Sequence, residues 1–173
     1  MSQAKPFEVK EGSFDVLASL LEGLFGQDQK QLDCFLFWWR GILFERTKPR
    51  QALVIAGDAG GGKSLLQQLI THTLGGRSVK PYKYLTGRTE FNSEMFGAEA
   101  LVIDDESAST DFRSRENLGN EIKQIVVGSE HRFHAKGRDA LMLSPFWVLS
   151  FSLNDEAENL QVLPRMEKTL RIK

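Results

Sequence analysis

The eight residues Gly57-Asp58-Ala59-Gly60-Gly61-Gly62-Lys63-Ser64 constrain this chain more than any other segment. They fit the pattern G-x-x-x-x-G-K-S, whose glycines let the backbone curl so that successive N–H groups face inward. Inward N–H groups and the start of a following helix together attract phosphate oxygens. The pattern carries that meaning only between a strand and a helix. Here the apolar run Gln51 to Ala56 precedes it and reads as a buried strand. Helical spacing follows from Lys63 to about Leu74, closed by Gly75-Gly76. Lys63 is expected to reach the β- and γ-phosphates of a nucleoside triphosphate, and Ser64 to offer its hydroxyl to Mg²⁺. The expected nucleotide contacts are Gly57, Asp58, Ala59, Gly60, Gly61, Gly62, Lys63, Ser64 and Leu65. The competing reading, a chance glycine turn, does not require the whole pattern with both flanks in place.

The remaining residues predict the α/β domain that such a loop needs. Phe14 to Phe25 has apolar residues at helical spacing, with Gly26 as a stop. Asp28 is placed to cap a second helix from about Gln29 to Arg46, apolar on more than one face. Within it, Phe35-Leu36-Phe37-Trp38-Trp39 is read as core packing rather than as a base-stacking surface. Thr47-Lys48-Pro49-Arg50 ends the helix. Further elements are expected as a strand over Val79 to Leu85, a short helix over Phe91 to Phe96, and a strand over Ala100 to Ile103. After these come a helix over Thr110 to Val127, a β-hairpin over Arg132 to Leu143 with Gly137 near its turn, a strand over Phe146 to Leu153, and a last strand over Lys168 to Lys173. Strands alternating with helices imply a mainly parallel sheet. The organisation is a helical lead-in over residues 1–49 and a core over 50–173, in one compact domain of 173 residues.

Composition narrows the partners. The formal net charge is −1, so any nucleic-acid surface must be local. Cys34 is the single cysteine and is expected to be a small buried hydrophobe in a reducing, intracellular setting. Met1 to Lys10 lacks the apolar core of a signal peptide, and no apolar stretch reaches the ~20 residues of a membrane helix. A cytoplasmic protein without membrane contact is expected.

Three later segments complete a nucleotide site. Ala100-Leu101-Val102-Ile103 runs into Asp104-Asp105-Glu106, and ligands of open parallel sheets bind at the carboxyl ends of strands. Asp104 and Asp105 are the favoured pair, one holding Mg²⁺ and one orienting the attacking water, with Glu106 close by. Phe151-Ser152-Leu153 ends at Asn154, whose amide can sense the γ-phosphate; a turn-forming Asn is the plain alternative. Arg165 is a candidate for stabilising transition-state charge at a neighbouring subunit's nucleotide, against a surface arginine. Arg132, His134 and Lys136 alternate, so they would share one face of a strand, with Arg138 just past the turn. Such a tip can hold backbone phosphates of a nucleic acid; a solvated hairpin is the alternative. No Cys pair or third His accompanies His131 and His134, so they are not read as metal ligands.

The order of these motifs resembles the superfamily 3 helicases, the AAA+-like motors of DNA viruses, phages and plasmids. Among those it is most similar to the helicase domains that follow primase modules. The resemblance covers roughly Gln51 to Lys173, with Gly57 to Ser64 as Walker A, Leu101 to Asp105 as Walker B, Lys123 to Lys136 as the third motif and Phe151 to Asn154 as the sensor. Arg165 stands in the place of the arginine finger, and the motifs lie within about 110 residues. The resemblance implies a P-loop ATPase using ATP and Mg²⁺, a homo-oligomer that is usually a hexameric ring, hairpins tracking single-stranded DNA with Lys136 matched to the family's hairpin lysine, and a phage or mobile-element replication protein acting in a bacterial cytoplasm, with a primase module or other replication proteins as partners. Two alternatives stay open. One is a regulatory or assembly ATPase without unwinding activity. The other, a small-molecule kinase, would be expected to bring an arginine-bearing lid and an acceptor pocket.

Overall fold

The computed structural model describes residues 10–26, 28–45, 48–104 and 112–154. The expectations for Asp105, Glu106, Arg165 and a strand over Lys168 to Lys173 fall outside those residues.

Among the described residues, five α-helices and six strands follow one another as α1 (Asp15–Phe25), α2 (Gln29–Arg40), β1 (Leu53–Ala56), α3 (Lys63–Thr73), β2 (Ser78–Val79), α4 (Tyr82–Leu85), β3 (Ala100–Ile103), α5 (Phe112–Val127), β4 (His131–Phe133), β5 (Leu141–Leu143) and β6 (Val148–Leu153). Asp28 caps α2 by accepting from the Gln31 N–H. A π-helical turn, Gly41–Glu45, prolongs α2 toward the length its apolar pattern predicts.

β1, β6, β3 and β2 form one four-stranded sheet in that order, with every pairing parallel. β6 therefore lies between the glycine-loop strand and the acid-bearing strand. Every residue of β1 and β6 is buried, which is why both are near-continuous apolar runs. Strand side chains alternate between faces, and the two apolar clusters follow that alternation. Leu53, Ile55, Ala100 and Val148 pack with α1, α2 and α3 through Leu24, Phe35, Trp39, Leu66 and Ile70. Val54, Leu101, Ile103, Leu149 and Phe151 pack on the other face with α4 and α5 through Leu85, Leu118, Ile122 and Ile125.

Several expectations need correction. The strand predicted over Val79 to Leu85 is two elements: β2 stops at Val79, and Pro81 leads into helix α4. Proline has no N–H for a ladder, and its fixed φ suits a helix start. The hairpin strands β4 and β5 are three residues each, so His134 and Lys136 lie beyond the strand that was to align them with Arg132. Asn92 is the cause: its side chain accepts from the His134 N–H, and its own N–H donates to the His134 carbonyl. Position 134 is thereby tied to the 91–92 loop rather than to β5. Cys34 is half-buried rather than buried. In the aromatic run, Phe35 and Trp39 are core residues, whereas Phe37 is 76% exposed.

Candidate nucleotide site

The glycine loop leaves β1 at the carboxyl edge of the sheet. The Gly57 N–H donates to the Leu153 carbonyl, extending the β1–β6 ladder by one bond. The chain then turns on Gly60 and Gly62, at φ +80° and +85°, a region costly for residues with a Cβ. A Cβ on Gly61 would stand 3.1 Å from the Asp58 carbonyl oxygen, so a side chain there would require the loop to give by a few tenths of an ångström. Gly62 precedes α3 and supplies no side-chain cap. The first N–H groups of α3 have no carbonyl one turn back within the helix, and they point out of its N-terminus. These features suit a phosphate.

Lys63 is 8% exposed and its ammonium donates to the Gly57 carbonyl at 2.7 Å, the Asp58 carbonyl at 2.7 Å and Asn154 Oδ1 at 3.2 Å. The loop lysine and the β6 asparagine, 91 residues apart, therefore meet. They do so because β6 is the neighbour of β1 and both end at the same edge.

Asp104 follows β3, on the other side of β6. It forms an ion pair with Lys80, which follows β2. Asp104 and Ser64 line one cleft of about 390 Å³, shared with Gln67, Lys80 and Val102. Gln67, one helical turn after Lys63, is buried and its amide bonds Ser150 Oγ at 3.2 Å. Sequence reasoning missed Lys80 and Gln67. Lys80 was hidden inside a strand drawn too long, while Gln67 could have been found from its i+4 spacing to Lys63.

The predicted hairpin residues lie elsewhere. Arg132, Lys136 and Arg138 are exposed, whereas His134 is half-buried with its ring 5.1 Å from Phe91. The hairpin feeds the amino end of β6, and Asn154 follows its carboxyl end. Six residues of strand, roughly 20 Å, separate the two. Trp147 anchors the hairpin root, with its ring 4.8 Å from His131 and 5.3 Å from Phe133. Lys48 reaches the same root, bonding the Gly128 carbonyl and lying 3.2 Å from His131 Nε2. Burial, then the Lys48 charge, pushes the His131 pKa down, while burial alone lowers that of Lys48. Among the described residues, no helix is long and apolar enough to cross a membrane.

Comparison with known proteins places this geometry in a wider setting. The family described as a family of unknown function (DUF5906) matches residues 55–169, which include the glycine loop, Asp104, the hairpin and Asn154. No curated protein matches the chain. Among solved structures, the A form apo structure of the NrS-1 C-terminal region is similar over 89% of this chain and 36% of its own, with a TM-score of 0.71 at 19% identity. An apo structure of the NrS-1 C-terminal region, residues 305–718, has a TM-score of 0.70 at 19% identity over 87% of this chain and 36% of its own. A third, the A form of that region, has a TM-score of 0.67 at 18% identity over 87% and 34%. The likeness is one of fold, and the chain spans about 36% of the length of the first of these structures.

Proposed function

We infer that this chain, which belongs to the family of unknown function DUF5906, is a Mg²⁺-dependent P-loop ATPase that uses ATP hydrolysis to move on single-stranded DNA, in the manner of a superfamily 3 helicase. The observation that most supports this reading is the meeting of Lys63 with Asn154, beside the cleft that Ser64 and Asp104 share. A phosphate-binding lysine, a γ-phosphate sensor and two oxygen ligands for a hard cation are then gathered at one sheet edge. The donor set fits Mg²⁺, which takes oxygen ligands and keeps several waters. Bound there, Mg²⁺ would neutralise charge on the phosphate oxygens.

The chain's own residues supply the rest. Lys63 would exchange the Gly57 and Asp58 carbonyls for phosphate oxygens. It would give up Asn154 Oδ1 as well, freeing that amide to hold the attacking water. Asp105, with Glu106 adjacent, is the candidate to accept hydrogen bonds from that water, and Arg165 of a neighbouring subunit to face the developing charge. Arg132, Lys136 and Arg138 would bind DNA phosphates, with His134 holding the turn in place. A homo-oligomeric ring would be needed to bring Arg165 to a neighbour's nucleotide. The second reading is an ATPase that assembles on a partner without unwinding. It draws on the three-residue hairpin strands and the net charge of −1.

Single-stranded DNA is expected to stimulate ATP hydrolysis, and Lys136→Ala to remove most of that stimulation while leaving the DNA-independent rate within about twofold, as for an exposed phosphate contact. Stimulation that survives Lys136→Ala together with Arg132→Ala and Arg138→Ala would remove the motor reading. Turnover that ignores DNA altogether would favour the assembly ATPase.

A further inference from the structure

Asp104 meets the cleft with a cation already on it. Lys80 follows β2 directly, Asp104 follows β3, and these strands pair in parallel with Val79 opposite Leu101. Both side chains therefore leave the sheet at its carboxyl edge, where they form an ion pair. The partners are unequally held. The Asp104 side chain is 28% exposed on a short stem, and that of Lys80 is 68% exposed on a long one. A solvent-facing pair of this kind is weak and exchanges readily for a better partner. Ser64 lines the same cleft, so a divalent cation bound by Ser64 and Asp104 would repel an ammonium in that place. Lys80 lines the same cleft as Ser64 and Asp104, so the terminal phosphate that the cation accompanies would offer the displaced ammonium a negative charge there.

We propose that Lys80 is a second cation for the terminal phosphate, supplied in cis: it neutralises Asp104 before nucleotide arrives and moves to the γ-phosphate when Mg²⁺-ATP enters. The inference rests on the reading of this edge as a Mg²⁺-ATP site. It gives the chain a means of distinguishing triphosphate from diphosphate. With ADP, Lys80 has no terminal phosphate to receive it and competes with the metal for Asp104. With ATP, it gains a charge-assisted contact that typically changes affinity about tenfold or more.

The test is equilibrium binding by the full chain, in Mg²⁺, of ADP and of a non-hydrolysable ATP analogue. The proteins are the wild type, Lys80→Ala, Lys80→Arg and Lys63→Ala. Lys80→Ala is expected to weaken the analogue about tenfold and leave ADP unchanged or slightly tighter. Lys80→Arg should restore most of the preference, because it keeps the charge. Lys63→Ala should weaken both nucleotides. If Lys80→Ala weakens both nucleotides equally, or neither, while Lys63→Ala weakens both, the proposal is overturned and the site reading stands. If the wild type binds neither nucleotide, the site reading fails and the proposal fails with it.

Discussion

Replacement of Lys63 by alanine separates what this side chain does for the fold from what it is proposed to do for a nucleotide. Lys63 is 8% exposed, and its ammonium has three oxygen acceptors: two loop carbonyls and the Asn154 amide. Hydrogen bonds to a charged group contribute about 1.5–3 kcal/mol each when the partner is left buried. Here Asp58 is exposed and Gly57 and Asn154 are half-buried, so water can replace much of what is lost. A net loss of about 1–2 kcal/mol follows, or a melting temperature lower by about 2–8 °C for a domain of this size. A ligand at one hundred times its Kd adds about 2.7 kcal/mol to the wild type, raising Tm by about 5–10 °C. The variant should gain almost none. Calorimetry of both proteins, with and without a Mg²⁺-bound ATP analogue, reads the two effects together. A variant that keeps the ligand-induced rise would refute the assignment of Lys63 to the phosphates. A variant that melts above the wild type would refute the stabilising role of its internal bonds.

Asn154→Ala is expected to keep ATP affinity within about threefold, since Lys63 would bind the phosphates without the amide, and to slow hydrolysis by about 10- to 100-fold; steady-state kinetics with a separate binding measurement would show an equal loss in both if the amide merely shapes the loop. The hairpin root should respond to mild acid. The His131 pKa is held below its ordinary value, so near and below about pH 6.5 the unfolded chain takes up a proton that the fold resists. The associated stability is present above pH 6.5 and is lost as pH falls through the lowered value. Urea midpoints measured from pH 7.5 to 5 should therefore fall less steeply for His131→Gln than for the wild type, and parallel curves would show that His131 carries no such linkage.

The parts of the site legible in the sequence were those fixed by neighbouring residues. The glycine loop could be read because its turns need glycine at particular positions, and Gly60 and Gly62 do adopt the left-handed region. Asp104 and Asn154 could be read because each directly follows an apolar run that becomes a buried strand. Lys80 could not, because Tyr82 to Leu85 suits a strand or a helix equally by pattern, and only Pro81 argued for the break. The hairpin itself was legible, but the alignment of its charges was not, for a different reason. Its charge alternation is local, but what ends β4 is Asn92, 42 residues before His134. The pattern of Phe35 to Trp39 predicted burial without saying how far it extends; α2 buries Phe35 and Trp39 and leaves Phe37 outward.

What joins the two halves of the proposed function is β6. The strand begins one residue after Trp147, which packs on His131 and Phe133 of the hairpin root, and ends one residue before Asn154, which bonds Lys63. Val148 to Phe151 pair with β3 and Ser150 to Leu153 with β1, so only Ser150 and Phe151 are held on both edges, and all six residues are buried. A buried strand anchored to β3 over its first half, to β1 over its last and to both in its middle bends little, so displacement at the hairpin root would reach Asn154 as a shift of the strand rather than through a relay of side chains. Of its two serines, Ser150 is bonded to Gln67 of the helix that follows the glycine loop. A shift of β6 relative to α3 would thus act on both the Ser150–Gln67 and the Asn154–Lys63 bonds, and the second is the contact that a nucleotide bound as proposed would also rearrange.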